Sequence, residues 1–266
     1  MRTTRRGTPI RGLVIIPALN EEATLPGVLT ELTQVLPDLD VVVIDDGSTD
    51  NTADVARRHG AVVLKLPFNL GIGGALRTGF RYAVDQGYDA AVQFDADGQH
   101  DPTMVPRLLS ALDNADMVIG SRFASETSYE VGRTRRRAMK VLQFAIKVLS
   151  GRSFTDTSSG FRAFNKPVLE YFATTYPSEY MESVEALLAA NYEGFRIAEV
   201  PVQMHQRAGG EPSAVRLKLL YHYVRVIFTM ITRAQRRPAP LNSTTIPLDA
   251  EPGTVGEADT NTEADT

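Results

Sequence analysis

The sequence contains no cysteine among its 266 residues. It therefore has no disulfides and no thiolate chemistry, which fits a reducing compartment without requiring one. No apolar run approaches the length of a membrane span, and the basic start MRTTRRGTPIRG lacks the apolar core of a signal peptide. These absences argue against a transmembrane protein and against a secreted disulfide scaffold.

Basic residues are missing from the last part of the chain. Residues 238–266 contain no Lys or Arg, but they hold six acidic residues: Asp249, Glu251, Glu257, Asp259, Glu263 and Asp265. Without them, 26 acidic residues face 28 basic ones, so residues 1–237 carry a net charge of +2 although the whole chain carries −4. We expect a disordered acidic tail over 238–266 and a flexible basic segment over 1–10.

The rest of the chain is large enough for one α/β domain, with 43% hydrophobic and 23% charged residues overall. Short runs of apolar and β-branched residues predict strands at 13–16, 39–44, 61–66, 90–92, 117–120 and 195–202. Helical segments separate the first five of them, which favours a doubly wound, mostly parallel sheet. The predicted domain covers residues 11–213.

Polar side chains follow four of these strands. Asn20 and Glu21 follow the first strand, two adjacent acids follow the second, Asp95 and Asp97 follow the fourth, and Arg122 follows the fifth. Ligands of open α/β sheets bind at the carboxyl ends of the strands. Two carboxylates and the amide of Gln99 suit Mg²⁺ or Mn²⁺, which prefer oxygen ligands. The alternative is that these residues only form a turn and cap a helix.

The sequences of two loops predict how helices begin, but they do not indicate a function. Asn20 is expected to cap a helix that runs to Leu36, with Glu21 and Glu22 in its first turn. The glycine-rich stretch 71–75 opens another predicted helix, but it lacks the third glycine of a dinucleotide fingerprint and the Lys-Ser/Thr of a P-loop. This failure disfavours a dinucleotide-binding oxidoreductase.

Acidic residues are absent from residues 131–155, which carry seven basic ones interleaved with apolar side chains. This pattern is typical of a segment that binds a lipid phosphate at a membrane surface. The alternative interpretation is a packed helix whose basic face is exposed to solvent. Nucleic acid is disfavoured because no aromatic stacking platform accompanies the arginines. Residues 214–237 predict an amphipathic helix that lies in a membrane interface or packs on the domain.

Seven ordered motifs resemble those of the family 2 glycosyltransferases of GT-A fold. They are IPALNEE (16–22), DDGSTD (45–50), GIGGALRTGF (71–80), QFDADGQH (93–100), GSRF (120–123), TDTSSGFRAFN (155–165) and EVPV (199–202). Within that family the resemblance is to dolichyl-phosphate mannose synthases and other polyprenyl-phosphate glycosyltransferases, over roughly residues 10–230. It implies transfer of a sugar, with inversion, from a nucleotide diphosphate sugar such as GDP-mannose or UDP-glucose to a polyprenyl phosphate.

The resemblance also implies roles for particular residues. Nucleotide-sugar contacts fall on Pro17, Ala18, Leu19, Glu21, Val43, Asp45, Asp46, Gly73, Asp95, Ala96, Asp97 and Arg207. The metal ligands are Asp95, Asp97 and Gln99. The acceptor phosphate is assigned to Arg122, Arg133, Arg135, Arg136, Arg137 and Ser213. Catalytic candidates are Asp97, Arg122, Asp156, Glu182 and Glu185.

The sequence departs from the family pattern at three points. Leu19 replaces an aromatic residue, no lysine follows Ser213, and the transmembrane pair of some relatives is missing. We therefore expect a cytoplasmic protein, peripheral at the inner face of the membrane, that reaches lipid through its own helices or a small membrane-protein partner. The alternatives are a saccharide or protein acceptor, or a non-catalytic nucleotide-sugar-binding subunit.

Overall fold

The computed structural model describes residues 11–124, 143, 146–148, 150–177 and 182–205, and the backbone of two residues near the C-terminus. The segments predicted as a basic N-terminus and an amphipathic C-terminal helix lie outside these residues, as does most of the predicted acidic tail. In the described part of the chain, no helix is long and apolar enough to cross a bilayer.

Strands and helices alternate through the first half of the chain. The strands are β1 (Gly12–Ala18), β2 (Asp40–Asp45), β3 (Val62–Lys65), β4 (Ala90–Gln93), β5 (Met117–Ser121), β6 (Arg162–Asn165), β7 (Ile197–Pro201) and β8 (Thr244–Thr245). The helices are α1 (Leu25–Val35), α2 (Thr52–Arg58), α3 (Ile72–Asp85), α4 (Val105–Ala111), α5 (Lys166–Thr175) and α6 (Glu182–Tyr192), with a 3₁₀ turn at Pro102–Met104.

One eight-stranded sheet carries the fold, in the order β3-β2-β1-β4-β6-β5-β7-β8. The predicted mostly parallel α/β sheet is confirmed: β1 pairs in parallel with β2 and β4, and β5 pairs in parallel with β7. The exception is β6, which runs antiparallel between β4 and β5. The chain steps from β1 outward to β3 and then returns to β4 on the other side of β1. The carboxyl ends of β1 and β4 therefore flank the switch point of the sheet, where ligands of such folds bind.

Hydrophobic side chains cover both faces of the sheet. Along β1, Leu13 and Ile15 belong to one buried cluster, and Val14 and Ile16 belong to the other. Because successive residues of a strand point to opposite faces, a strand buried on both sides has an uninterrupted apolar sequence. This is why a short apolar run was sufficient to predict β1.

The predicted start of the first helix is wrong. Helix α1 begins at Leu25, after Thr24, rather than at a cap formed by Asn20. Asn20 instead has a positive φ of 56° and turns the chain away from β1. Its side-chain oxygen accepts a hydrogen bond from the backbone N–H of Thr49, 2.9 Å away. Asparagine tolerates this left-handed conformation better than most residues, so it suits a loop that must bend sharply.

Candidate active site

The loops that follow β1 and β2 are tied into one unit at the carboxyl edge of the sheet. The backbone N–H of Asn20 donates to Ser48 Oγ at 3.0 Å, and the N–H of Glu21 donates to Thr52 Oγ1 at 2.8 Å. A side-chain oxygen of Glu22 accepts from the backbone N–H of Asn51 at 2.9 Å. These bonds fix the first loop on the second, which gives this edge of the sheet a defined shape.

Asp45, the last residue of β2, and Asp46, which follows it, hold the loops at this edge in place. Asp45 is fully buried, and its Oδ1 accepts from the backbone N–H of Ser48 at 2.9 Å. Asp46 Oδ1 accepts from the N–H of Leu70 at 2.7 Å and thereby holds the loop before α3. Burial raises the pKa of the Asp46 carboxyl, although its backbone hydrogen bonds oppose that rise. Both acids therefore organise loops as well as adjoining the predicted nucleotide site.

The loop after β4 presents two carboxylates on a tight turn. The Asp95 side chain is 32% exposed, and Asp97 is largely buried at 8% exposed. Asp97 Oδ1 accepts from the backbone N–H of Gln99 at 3.0 Å. Gly98, which lies between Asp97 and Gln99, has a φ of +75°. A residue with a side chain adopts this backbone conformation only at a cost in free energy. The turn thus places Asp95 and Asp97 at the carboxyl end of β4, next to the switch point of the sheet.

These residues fit a divalent cation that is completed by a substrate. Within the described ranges no three Asp, Glu or His side chains form a ready-made cage. Mg²⁺ is commonly held by one or two carboxylates together with substrate phosphates, and it keeps several waters. Asp95 and Asp97, with the Gln99 amide, match that open arrangement.

His100 lies directly behind Asp95. The backbone N–H of Asp95 donates to His100 Nδ1 at 3.0 Å, and His100 Nε2 lies 3.4 Å from Asp95 Oδ2. The ring stacks on Phe161, with centroids 4.5 Å apart, and meets the edge of Phe94. Burial lowers the pKa of His100 to about 3, so the ring is neutral near pH 7.

The burial of His100 predicts a pH dependence of stability. In the unfolded chain the imidazole takes up a proton below its ordinary pKa of 6.5, whereas the folded ring stays neutral down to about pH 3. The contribution of His100 is therefore fully present above pH 6.5 and is lost as the pH falls through this window. Between pH 7 and pH 5 the free energy of unfolding of metal-free protein is expected to fall by about 2 kcal/mol from this residue.

Urea denaturation of wild type and His100→Gln across pH 5–8 measures this effect. Burial raises the pKa of Glu182 and of Glu199, and these groups favour the folded state at low pH, so only the difference between the two proteins isolates the histidine. Parallel pH profiles for the two proteins would contradict the assignment.

Arg122, after β5, is held by a buried carboxylate. Its Nε and Nη2 donate to the two oxygens of Asp156 at 2.7 and 2.8 Å, and Nη2 also donates to Ser158 Oγ at 3.0 Å. Asp156 is fully buried. A two-point contact of this kind fixes the plane of the guanidinium. Asp156 therefore positions Arg122, and this engagement argues against Asp156 as a catalytic base.

Glu199 on β7 organises the loop that carries Asp156. Its carboxylate accepts from the backbone N–H and the hydroxyl of Thr155 and from the backbone N–H of Asp156, all between 2.8 and 2.9 Å. The side chain is nearly buried, and burial raises its pKa. Strand β7 thus anchors, through Glu199, the loop whose Asp156 binds Arg122.

A buried polar layer lies beneath these loops. Arg162 on β6 is fully buried, and it donates to the carbonyl oxygens of Ser183 and Thr157. Both polar atoms of the Gln93 side chain, Arg162 Nε and Tyr176 Oη have no hydrogen-bond partner among the described residues. Gln93 faces Arg162 across the β4–β6 pair. Unpaired buried polar groups of this kind cost free energy unless water satisfies them.

We therefore expect at least one ordered water between the Gln93 amide, Arg162 Nε and Tyr176 Oη. Buried waters usually make about three hydrogen bonds to groups that are otherwise unsatisfied. A high-resolution crystal structure of the whole protein measures this directly. A dry, continuous contact between these side chains would contradict the expectation.

The structure brings several of the predicted site residues to the carboxyl edge of the sheet and places others away from it. Pro17 lies near the end of β1 rather than on the loop after it, whereas Leu19 and Glu21 lie on that loop. Gly73 lies in the buried first turn of α3. Val43, however, is fully buried in the hydrophobic core, as Ala18 and Ala96 nearly are. Glu182 and Glu185 occupy the first turn of α6. Outside the described residues lie Arg133, Arg135, Arg136, Arg137, Arg207 and Ser213.

Four residues of the site carry no role in the prediction from sequence: His100, Gly160, Arg162 and Glu199. His100 and Glu199 stand in motifs that resemble the family, but nothing in their spacing indicates which side chain they support. Gly160 approaches Asp95 so closely that an added Cβ would lie 3.2 and 3.3 Å from its two carboxylate oxygens. Such contacts join distant segments, so only the folded chain reveals them.

Comparison with known proteins agrees with this geometry. The profile described as "Glycosyl transferase family 2" matches residues 13–172. The undecaprenyl-phosphate mannosyltransferase of Micrococcus luteus is 36% identical over 76% of this chain and 86% of that protein. The polyprenol monophosphomannose synthase of Mycolicibacterium smegmatis is 32% identical over 75% of this chain and 79% of that protein.

A solved structure shares the fold. The glucosyl-3-phosphoglycerate synthase of Mycobacterium tuberculosis, in complex with Mn²⁺, UDP-glucose and phosphoglyceric acid, has a TM-score of 0.62 and 25% identity over 85% of this chain and 80% of that chain. The same enzyme was also solved with Mg²⁺ and UDP. The sequence profile covers more than half of the chain, and the relatives match three quarters of it, so this chain belongs to glycosyl transferase family 2 and is a glycosyltransferase.

Proposed function

We propose that the protein transfers a sugar from a nucleoside diphosphate sugar to a polyprenyl phosphate, with inversion at the anomeric carbon. The observation that carries the proposal is the meeting of a two-carboxylate turn, Asp95 and Asp97, with a switch-point edge built by the loops after β1 and β2. The names of the two relatives described above support a polyprenyl phosphate as the acceptor.

In this proposal the donor nucleotide occupies the edge formed by Pro17, Leu19 and Glu21, above the braced acids Asp45 and Asp46. Asp95, Asp97 and Gln99 hold Mg²⁺ or Mn²⁺, which would offset the charge of the leaving diphosphate. Sequence alone places Arg207 two residues after His205, whose backbone N–H donates to the carbonyl of Gln99 at 2.8 Å. Arg207 is therefore proposed to contact the same diphosphate.

The reaction needs little acid–base chemistry from the protein. An oxygen of the acceptor phosphate attacks the anomeric carbon, and the bond from that carbon to the diphosphate breaks. A phosphate is already ionised near neutral pH, so its oxygen is a nucleophile without a strong base. Arg122, fixed in its plane by Asp156, is proposed to orient the acceptor phosphate. Catalysis then rests on positioning and on charge stabilisation.

Two other candidates keep secondary roles. Glu185 is half-buried on the first turn of α6, where it is proposed to accept a hydrogen bond from a sugar hydroxyl. Glu182 is more deeply buried, and burial raises its pKa, so a proton-donating role toward a hydroxyl is compatible with its environment.

An acceptor competition tests the proposal. Release of nucleoside diphosphate from GDP-mannose, UDP-glucose and UDP-N-acetylglucosamine would be measured with a short polyprenyl phosphate, with simple saccharides and with phosphoglyceric acid. We expect release to accelerate with the polyprenyl phosphate for one donor. Acceleration only by a saccharide would favour the second candidate, a family 2 transferase with a soluble acceptor.

Access to lipid is proposed to run through the basic stretch 131–155, at the inner face of the membrane. Replacing Arg133, Arg135, Arg136 and Arg137 with glutamine is expected to weaken flotation with liposomes that contain anionic lipid. Each basic residue near such a surface contributes about 1 kcal/mol. The four-residue variant should bind nucleoside diphosphate as the wild type does. Unchanged flotation would instead favour recruitment by a small membrane-protein partner.

A further inference from the structure

His100 lies behind the carboxylate turn and contacts Asp95 at two points. Asp95 donates its backbone N–H to His100 Nδ1 at 3.0 Å, so Nδ1 is the nitrogen that accepts. In a neutral imidazole the other nitrogen then carries the proton. That nitrogen, Nε2, lies 3.4 Å from Asp95 Oδ2, which is a close electrostatic contact and not a hydrogen bond. The ring therefore holds the Asp95 backbone through Nδ1 and lies next to its carboxylate.

The ring cannot turn away easily from this position. Phe161 stacks on one face at a centroid distance of 4.5 Å with planes inclined by 14°, and Phe94 approaches edge-on at 5.2 Å. The His100 side chain is only 2% exposed. The backbone around His100 is also held, because it forms an antiparallel bridge with Met204. Rotation of the ring would break its bond with Asp95 and expose buried apolar surface.

The backbone of Gly160 also approaches Asp95 closely. An added Cβ at Gly160 would lie 3.2 and 3.3 Å from the two Asp95 oxygens, so a side chain there would press on the carboxylate. Asp95 thus has His100 and Gly160 as close neighbours, and Asp97 accepts from the N–H of Gln99. These contacts limit the orientations that the two carboxylates can adopt.

We propose that His100 is a positioning residue that, as the Nε2–H tautomer, orients Asp95 for the divalent cation. The inference rests on the proposed metal site. Its Nδ1 is occupied by the backbone N–H of Asp95, so the ring acts on the carboxylate turn through that backbone bond. Partners that orient a ligand typically change metal affinity by about 10- to 100-fold when they are removed.

The test compares three variants for binding of Mn²⁺, measured by electron paramagnetic resonance of the free ion in the presence of nucleoside diphosphate. His100→Phe keeps a ring against Phe161 but removes both nitrogens, and we expect it to weaken Mn²⁺ binding about 10- to 100-fold. His100→Asn places a side-chain oxygen near the position of Nδ1, where it can accept from the Asp95 N–H, and should recover part of this loss. His59→Phe, on the end of α2, is the matched control and should bind as wild type does.

Each outcome decides the matter. Equal Mn²⁺ affinity of His100→Phe and wild type would overturn the positioning role while leaving the proposed function intact. Absence of Mn²⁺ binding by wild type would overturn the metal site and the positioning role together. If His100→Phe fails to fold, ¹⁵N NMR of the wild-type imidazole decides: protonated Nε2 with unprotonated Nδ1 supports the inference, and the reverse tautomer overturns it.

Discussion

Replacing Asp97 with asparagine is expected to lower kcat/KM for sugar transfer by at least about a thousandfold, equivalent to about 4 kcal/mol of transition-state stabilisation. Asparagine keeps an oxygen that accepts from the Gln99 N–H, so the turn should hold its shape. What it loses is the negative charge that is proposed to bind the cation opposite the leaving diphosphate. The effect should therefore fall on chemistry and not on folding.

Steady-state kinetics and thermal unfolding of the same preparation separate these two effects. We expect the free energy of unfolding to stay within about 1 kcal/mol of wild type. Asp101→Asn is the matched control in the same loop: Asp101 caps the 3₁₀ turn by accepting from Thr103 N–H at 2.8 Å, and asparagine caps equally well. An Asp97→Asn enzyme with near wild-type activity would remove the metal assignment.

Replacing Arg122 with methionine is expected to destabilise the protein by about 3–5 kcal/mol as well as to impair transfer. Its partner Asp156 has a side chain that is 0% exposed, whereas the Arg122 side chain is 15% exposed. Removing the arginine leaves a buried carboxylate without its counter-charge, and the cost of such a charge is large. Chemical denaturation of the variant measures the loss.

A double variant separates the structural role of Arg122 from its role in catalysis. Arg122→Met combined with Asp156→Asn removes the unpaired charge, so stability should recover by about 2 kcal/mol or more relative to Arg122→Met alone. Activity should not recover, since the guanidinium that is proposed to orient the acceptor phosphate is still missing. Recovery of activity together with stability would show that Arg122 serves only the fold.

The parts of the protein that sequence predicts well are those that depend on local pattern. Parallel strands buried on both faces have apolar runs, as in β1, and polar residues at their ends mark the functional edge. The position of Asp95 and Asp97 follows from this pattern alone. By contrast, β6 is short, contains Arg162 and Asn165, and runs antiparallel between β4 and β5. Its pairing is set by distant strands, so its sequence shows no strand pattern.

The supporting residues were missed for a related physical reason. The Glu199 carboxylate binds backbone groups 43 and 44 residues away, and Gly160 touches Asp95 from another strand connection. No local spacing encodes such contacts. Asn20 shows the opposite error, because its sequence suits a helix cap while the fold uses it as a turn that joins Thr49. Local propensity was overridden there by a contact between two loops.

The mass of the lipid product tests the central claim most directly. Purified protein would be incubated with a nucleotide sugar, a short polyprenyl phosphate and Mg²⁺ or Mn²⁺, and the organic phase would be analysed by mass spectrometry with and without EDTA. The account predicts an ion equal to the lipid phosphate plus one sugar residue, which EDTA abolishes. Unmodified lipid phosphate for every donor, with free sugar and nucleoside diphosphate in the aqueous phase, would contradict it.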